Sequence, residues 1–108
     1  MVTQAIAADL NSILVQHNGS TFCLRVNSTV MSAAGIRQGD MVIADRVVAP
    51  SNGKIVIAMI GNEPVIRRLE ITNNKKWLVA PGASLSPIEM DHEYMKIWAV
   101  VTFVIHAI

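Results

Sequence analysis

The sequence predicts a single, mostly-β domain of curled antiparallel sheets, with strands coiling into a barrel-like arrangement. Three observations carry that reading. Residues 21–27 and 65–71 alternate apolar and polar side chains, the period-two pattern of half-buried strands. Residues 54–60 and 97–105 are short, nearly continuous apolar runs, as expected of strands covered on both faces. Turn chemistry punctuates these segments at Asn18-Gly19, Gly39-Asp40, Asn52-Gly53 and Pro81-Gly82, where glycine and asparagine tolerate the backbone angles that tight turns demand. With 108 residues, the chain is long enough for one compact domain. It shows no repeat, linker or low-complexity segment.

Taken in order, residues 1–20 read as an N-terminal arm and residues 21–108 as the β domain. Asp9 is placed to cap a short helical turn through Leu10, Ile13 and Leu14; the alternative is an irregular arm packed against a partner. In residues 21–27, Phe22, Leu24 and Val26 point one way and Cys23, Arg25 and Asn27 the other. Residues 28–35 are small and suit a short helical or irregular piece. Gly39-Asp40 turns the chain into a strand over residues 41–45. Residues 54–60 form the next strand after the Asn52-Gly53 turn. Pro64 must stand near a strand start because it cannot donate to a ladder. In residues 65–71, Val65, Arg67, Leu69 and Ile71 share a face, so Arg67 sits among aliphatic side chains. Residues 72–76 read as a polar loop, 77–80 as a short strand, 84–88 as irregular, and 96–106 as the final strand.

Composition narrows the function. Apolar residues make up 52% and charged residues 16%, against about a quarter charged in ordinary soluble domains. That shortage points to apolar surface covered by a partner or a second copy. Formal net charge is +1, and the basic residues are scattered, so no polyanion footprint is expected. The lone Cys23 fits a reducing compartment and a structural thiol. His17, His92 and His106 share no metal-ligand spacing, and Glu89, Asp91 and Glu93 read as a solvated acidic loop. No phosphate loop or dinucleotide fingerprint is present, and no cofactor is expected. The N-terminus has neither a basic stretch nor a long apolar core, and no apolar run is long enough to span a bilayer as a helix. A cytoplasmic location is therefore expected.

The most specific signal is an ordered series of segments. Ser-Thr-Val-Met at residues 28–31 precedes Gly35-Ile36 and Gly39-Asp40. Lys-Ile-Val-Ile-Ala at 54–58, Gly-Asn-Glu at 61–63 and Val-Ile-Arg-Arg-Leu at 65–69 follow. Leu-Val-Ala-Pro at 78–81, Ser-Pro-Ile at 86–88 and Trp-Ala-Val-Val-Thr-Phe-Val-Ile-His at 98–106 complete the series. Over residues 9–106, with one short gap near Pro81-Gly82, the chain resembles the C-terminal domain of the LexA and UmuD family of self-cleaving SOS proteins. Within that family it looks most like the UmuD members. The resemblance implies the fold shared with signal peptidases, a homodimer, and a Ser/Lys dyad that cuts the protein's own N-terminal arm when a RecA filament on single-stranded DNA stimulates it. It also implies that the trimmed form joins a Y-family polymerase subunit, UmuC, to copy damaged DNA.

Carried over by position, the family's nucleophilic serine, which stands just before a methionine, falls on Val30. The family's base, the first lysine of a Lys-Lys-Leu-like strand, falls on Arg67. Valine offers no hydroxyl for attack. A lysine base is made neutral by burial, whereas arginine stays protonated because its pKa lies above about 12. Neither position is therefore expected to be catalytic. Arg67 is expected to pair its head with a backbone carbonyl or a carboxylate and to pack its stem beside Val30. The arm also contains no Ala-Gly or Cys-Gly bond of the kind the family cuts, so the chain reads as an already processed form.

The leading expectation is a non-catalytic accessory subunit in SOS mutagenesis. It would act as a homodimer on a UmuC-like polymerase, and on the RecA filament and the replicative polymerase or clamp. Leu10, Ile13 and Leu14 in the arm, with Trp98, Val100 and Phe103 in the last strand, are the expected interface residues. Two alternatives stand beside it. One is a peptidase using Ser28 or Ser32 as a shifted nucleophile. The other is a decoy that forms heterodimers with an intact UmuD.

Overall fold

A computed structural model describes residues 9–17 (11–17 by backbone alone), 19–90 and 95–106. Eight strands form one sheet: β1 (Leu10–His17), β2 (Thr21–Val26), β3 (Met41–Asp45), β4 (Ile55–Ile60), β5 (Glu63–Thr72), β6 (Lys75–Val79), β7 (Ile88–Glu89) and β8 (Met95–Ile105). Their spatial order is β1-β2-β3-β8-β4-β5-β6-β7, and every neighbouring pair is antiparallel. Two meanders, β1–β3 and β4–β7, are thus joined by the last strand. Val100 of β8 stands opposite Asp45 of β3 on one side and Val56 of β4 on the other. The mostly-β expectation holds. The sheet curls so far that Asp9, at the foot of β1, donates its N–H to the Pro64 carbonyl of β5 at 3.2 Å, although β2, β3, β8 and β4 lie between them.

The side-chain periods explain this shape. In β2, Phe22, Leu24 and Val26 are buried while Arg25 is exposed, as the alternation requires. In β4, Val56, Ile57 and Ala58 are all fully buried, because β8 and β5 flank the strand and both faces are covered. The two faces feed two apolar clusters. One gathers Leu10, Phe22, Val26, Met31, Ile36, Ile57 and Ile66, with Val30 packed against it. The other gathers Val56, Val65, Leu69, Leu78 and Val100.

Three readings are corrected here. Residues 10–17 form a strand rather than a helical turn, because β2 offers a ladder along the segment, from Leu10↔Val26 to His17↔Thr21. Tertiary pairing of this kind overrides a local capping signal. Leu10 and Val100 do not face a partner: they are 3% and 1% exposed, Leu10 turned into the first cluster and Val100 held mid-sheet between β3 and β4. The polar loop at 72–76 is a tight hairpin, in which Asn73 and Asn74 take φ of 51° and 64°, the mirror-image turn that matches strand twist. The side chains of Ile13 and Leu14, and residues Asp91, His92 and Glu93, lie outside the described residues.

One loop contact yields a stability prediction. Gly82 has φ +73°, and a Cβ built on it would lie 2.6 Å from the Ala33 Cβ. The turn after β6 therefore presses directly on the short 3-10 segment Ser32–Ala34. Gly82→Ala combines left-handed strain with that clash and is expected to destabilise the domain by about 1–3 kcal/mol. Urea unfolding of the two proteins measures it.

Candidate functional site

The loop between β2 and β3 is shaped by Gly39-Asp40. Gly39, at φ +93°, donates to the Val26 carbonyl at 2.9 Å, and the Val26 N–H returns a bond to the Asp40 carbonyl at 2.8 Å. The buried Asp40 carboxylate accepts the Arg37 N–H at 2.8 Å. His106 Nδ1 lies 2.7 Å from the same carboxylate, which ties the end of β8 to this turn. The loop that results carries Met31 and Ile36 into the first cluster as fully buried anchors and holds Val30 half-buried against it.

The two neighbouring serines are engaged locally. Ser28 Oγ accepts the Val30 N–H at 3.2 Å. The exposed Ser32 hydroxyl donates to the Thr29 carbonyl at 2.8 Å. Such bonds are what short hydroxyl side chains do in turns.

Arg67 lies on β5 opposite Val56 of β4 and is 8% exposed. Its guanidinium pairs with the Asp9 carboxylate, itself 8% exposed. Arg67 Nη1 also donates to the Ile66 carbonyl at 2.8 Å. The expected partner for the head group is therefore found, and it is a carboxylate 58 positions away in sequence. A buried charge needs such a partner, since desolvation without one costs several kcal/mol.

Asp9 does more than neutralise Arg67. Its Oδ2 accepts the Ile66 N–H at 3.0 Å. Its backbone N–H bonds Pro64, and its carbonyl accepts the Asn27 N–H. One residue thus joins the end of β2, just before the Val30 loop, to the start of β5. Val30 packs on the first cluster, and Val65 and Leu69, neighbours of Arg67 along β5, belong to the second. Sequence reasoning treated Asp9 as a helix cap and missed this role. The usable signal was the buried arginine itself, which demands an anion somewhere in the chain.

The remaining expected residues are also placed. Trp98 is half-buried. Its ring packs on Phe22 at 4.7 Å between centroids and lies under the Arg46 guanidinium at 5.3 Å. Phe103 is 67% exposed and Ile105 44%. By register Phe103 stands opposite Ile43, and Ile105 opposite Met41, so an apolar patch runs across one end of the sheet. All four lysines of the chain are exposed. Among the described residues no group of three or more His, Cys, Asp or Glu could hold a metal ion, and no helix is long and apolar enough to cross a membrane.

This all-antiparallel fold, with its loop between β2 and β3, goes with membership of a peptidase-like family. Residues 3–102 match the Peptidase S24-like family, and the chain belongs to that family. The chain is 35% identical over 105 residues to Protein ImpA of Salmonella typhimurium, covering 91% of this chain and 67% of that one. It is 34% identical over 103 residues to Protein MucA of Escherichia coli, covering 87% and 65%. It is 35% identical over 75 residues to LexA repressor 1 of Pseudomonas putida, covering 69% and 37%. It is a UmuD-like member of the LexA/UmuD family, and it spans about two thirds of the length of its ImpA and MucA relatives.

Proposed function

We propose that this chain is a non-catalytic, UmuD-like accessory subunit in SOS mutagenesis, acting as a homodimer that docks on a Y-family polymerase. The observation that carries the non-catalytic half is the burial of Arg67 against Asp9. A dyad base must lose its proton to work, and a guanidinium paired with a carboxylate keeps it. All four lysines of the chain are exposed, so none is buried as a lysine base would be. Val30 supplies no nucleophile. Ser28 and Ser32 engage their hydroxyls with the loop backbone.

The likeness to ImpA and MucA supports the SOS setting, and the likeness to LexA repressor 1 supports the family frame. The RecA filament and the replicative polymerase or clamp are further partners on this reading. The exposed Phe103 end of β8, with Ile105 beside it, supports the homodimer, since a bare aromatic next to aliphatic neighbours gains by being covered. Leu10 and Val100, spent on the chain's own core, have no part in it.

Two measurements test the reading. Light scattering after size exclusion is expected to show a dimer at micromolar concentration and a monomer for Phe103→Glu; a wild-type monomer sinks the dimer. Pull-down is expected to retain a Y-family polymerase subunit in preference to an intact UmuD paralogue, and the reverse preference would make the chain a decoy.

A further inference from the structure

The outer face of the β5–β6 hairpin carries a second feature. An open groove of about 300 Å³ is lined by Glu70, Thr72, Trp77, Val79 and Pro87. The tight Asn73-Asn74 turn sets the register, which places Glu70 directly opposite Trp77. On the far side of the same indole, β7 places Glu89 opposite Trp77. An aromatic ring is thus flanked in the sheet by a carboxylate on each side, at cross-strand spacing.

The two carboxylates differ. Glu89 reaches Lys75 at 3.7 Å. Glu70 is half-buried, and its carboxylate has no ion pair or hydrogen bond among the described residues. Arg68, two residues along the same face, does not come within ion-pair distance of it. The groove therefore offers a negative charge with no counter-charge among the described residues, beside an indole and two apolar walls, Val79 and Pro87. That combination suits a cation on an apolar stem: the stem lies on the ring, the charge meets the carboxylate, and the ring face adds cation–π attraction. Anions and purely apolar segments would each leave Glu70 unmatched.

We propose that this groove docks an extended, arginine-bearing segment of a partner protein, with the arginine stem on Trp77, its guanidinium at Glu70 and a neighbouring apolar residue between Val79 and Pro87. Arginine suits the site better than lysine because its flat guanidinium stacks on the ring while bonding a carboxylate with two N–H groups. The groove lies on the hairpin's outer face and uses neither Arg67 nor Phe103, so the inference is independent of the reading given above.

The test is an NMR titration of the intact chain with the blocked peptide acetyl-Leu-Pro-Arg-Leu-Pro-amide. Its controls are the same peptide with citrulline for arginine and a titration of Glu70→Gln. The expected result is saturable shifts confined to the Trp77 indole N–H and the amides of Glu70, Thr72 and Val79. Binding should weaken on the order of five- to tenfold both with citrulline and with Glu70→Gln, the size of one desolvated charge contact. Trp77→Ala should abolish the shifts, with folding checked on the dispersed amide spectrum. No shift at millimolar peptide overturns the proposal, as does citrulline binding equal to arginine. If the same signals move on protein dilution without peptide, the groove is filled by a second copy and the proposal is wrong.

Discussion

Asp9→Ala is expected to cost the domain about 3–5 kcal/mol, the penalty for stranding one member of a buried ion pair. Arg67 would keep the Ile66 carbonyl but lose its only counter-charge among the described residues. The Ile66 N–H would lose its acceptor as well. A loss of that size is a large share of the roughly 5–15 kcal/mol that holds such a domain together, so urea unfolding should shift to a much lower midpoint. The double variant Asp9→Asn/Arg67→Met should fall within about 1 kcal/mol of wild type. Asparagine keeps an acceptor for Ile66, and methionine replaces the arginine stem without its charge. A single variant that costs less than about 1 kcal/mol would show that the pair is solvated and that the site is not sealed as described.

The second large effect concerns chemistry. If Val30 and Arg67 stand at the nucleophile and base positions, Val30→Ser/Arg67→Lys should still be a poor peptidase, because Asp9 remains. A carboxylate beside an ammonium favours its charged form and so raises the lysine pKa. Less of the neutral amine is then present at neutral pH, and cleavage of a substrate peptide should still be climbing at the most alkaline pH tested. Adding Asp9→Asn removes that charge, lowers the lysine pKa and moves the rise to lower pH. At neutral pH the triple variant should outrun the double by about tenfold for each unit of pKa regained. Equal pH profiles for the two variants would show that Asp9 does not reach the base position. Vigorous cleavage by the unaltered chain would refute the non-catalytic reading outright.

How much of this was legible in the residues varied with the range of the interaction. The strands at 21–26, 41–45, 55–60 and 95–105 were readable because period two or unbroken apolarity is a local property of a sheet residue. Gly39-Asp40 was readable as a turn because its backbone needs are local too. β1 was not readable, since Asp9 followed by leucine satisfies a helix-start rule and only the presence of β2 decides otherwise. β7 is two residues long, shorter than any pattern. The Arg67 site was half legible. Its burial followed from the company of Val65, Leu69 and Ile71, but its acceptor lies across a curl of the sheet that no local rule describes. The groove was not legible, because Glu70 and Trp77 meet only once the Asn73-Asn74 turn sets their register.

The position of β8 has a consequence for how the protein comes into being. The last of the described strands lies inside the sheet, fourth of eight, so neither meander can complete its ladder until residues 95–105 have been made. During synthesis the first three strands and the next four wait as two halves, each with an open inner edge and unpaired backbone groups. Pairing strands far apart in sequence, as Met41 with Ile105, is the slow kind of contact, and half-finished sheets are the species that aggregate. A premature stop that removes β8 would thus leave two unfinished edges rather than a slightly shorter domain.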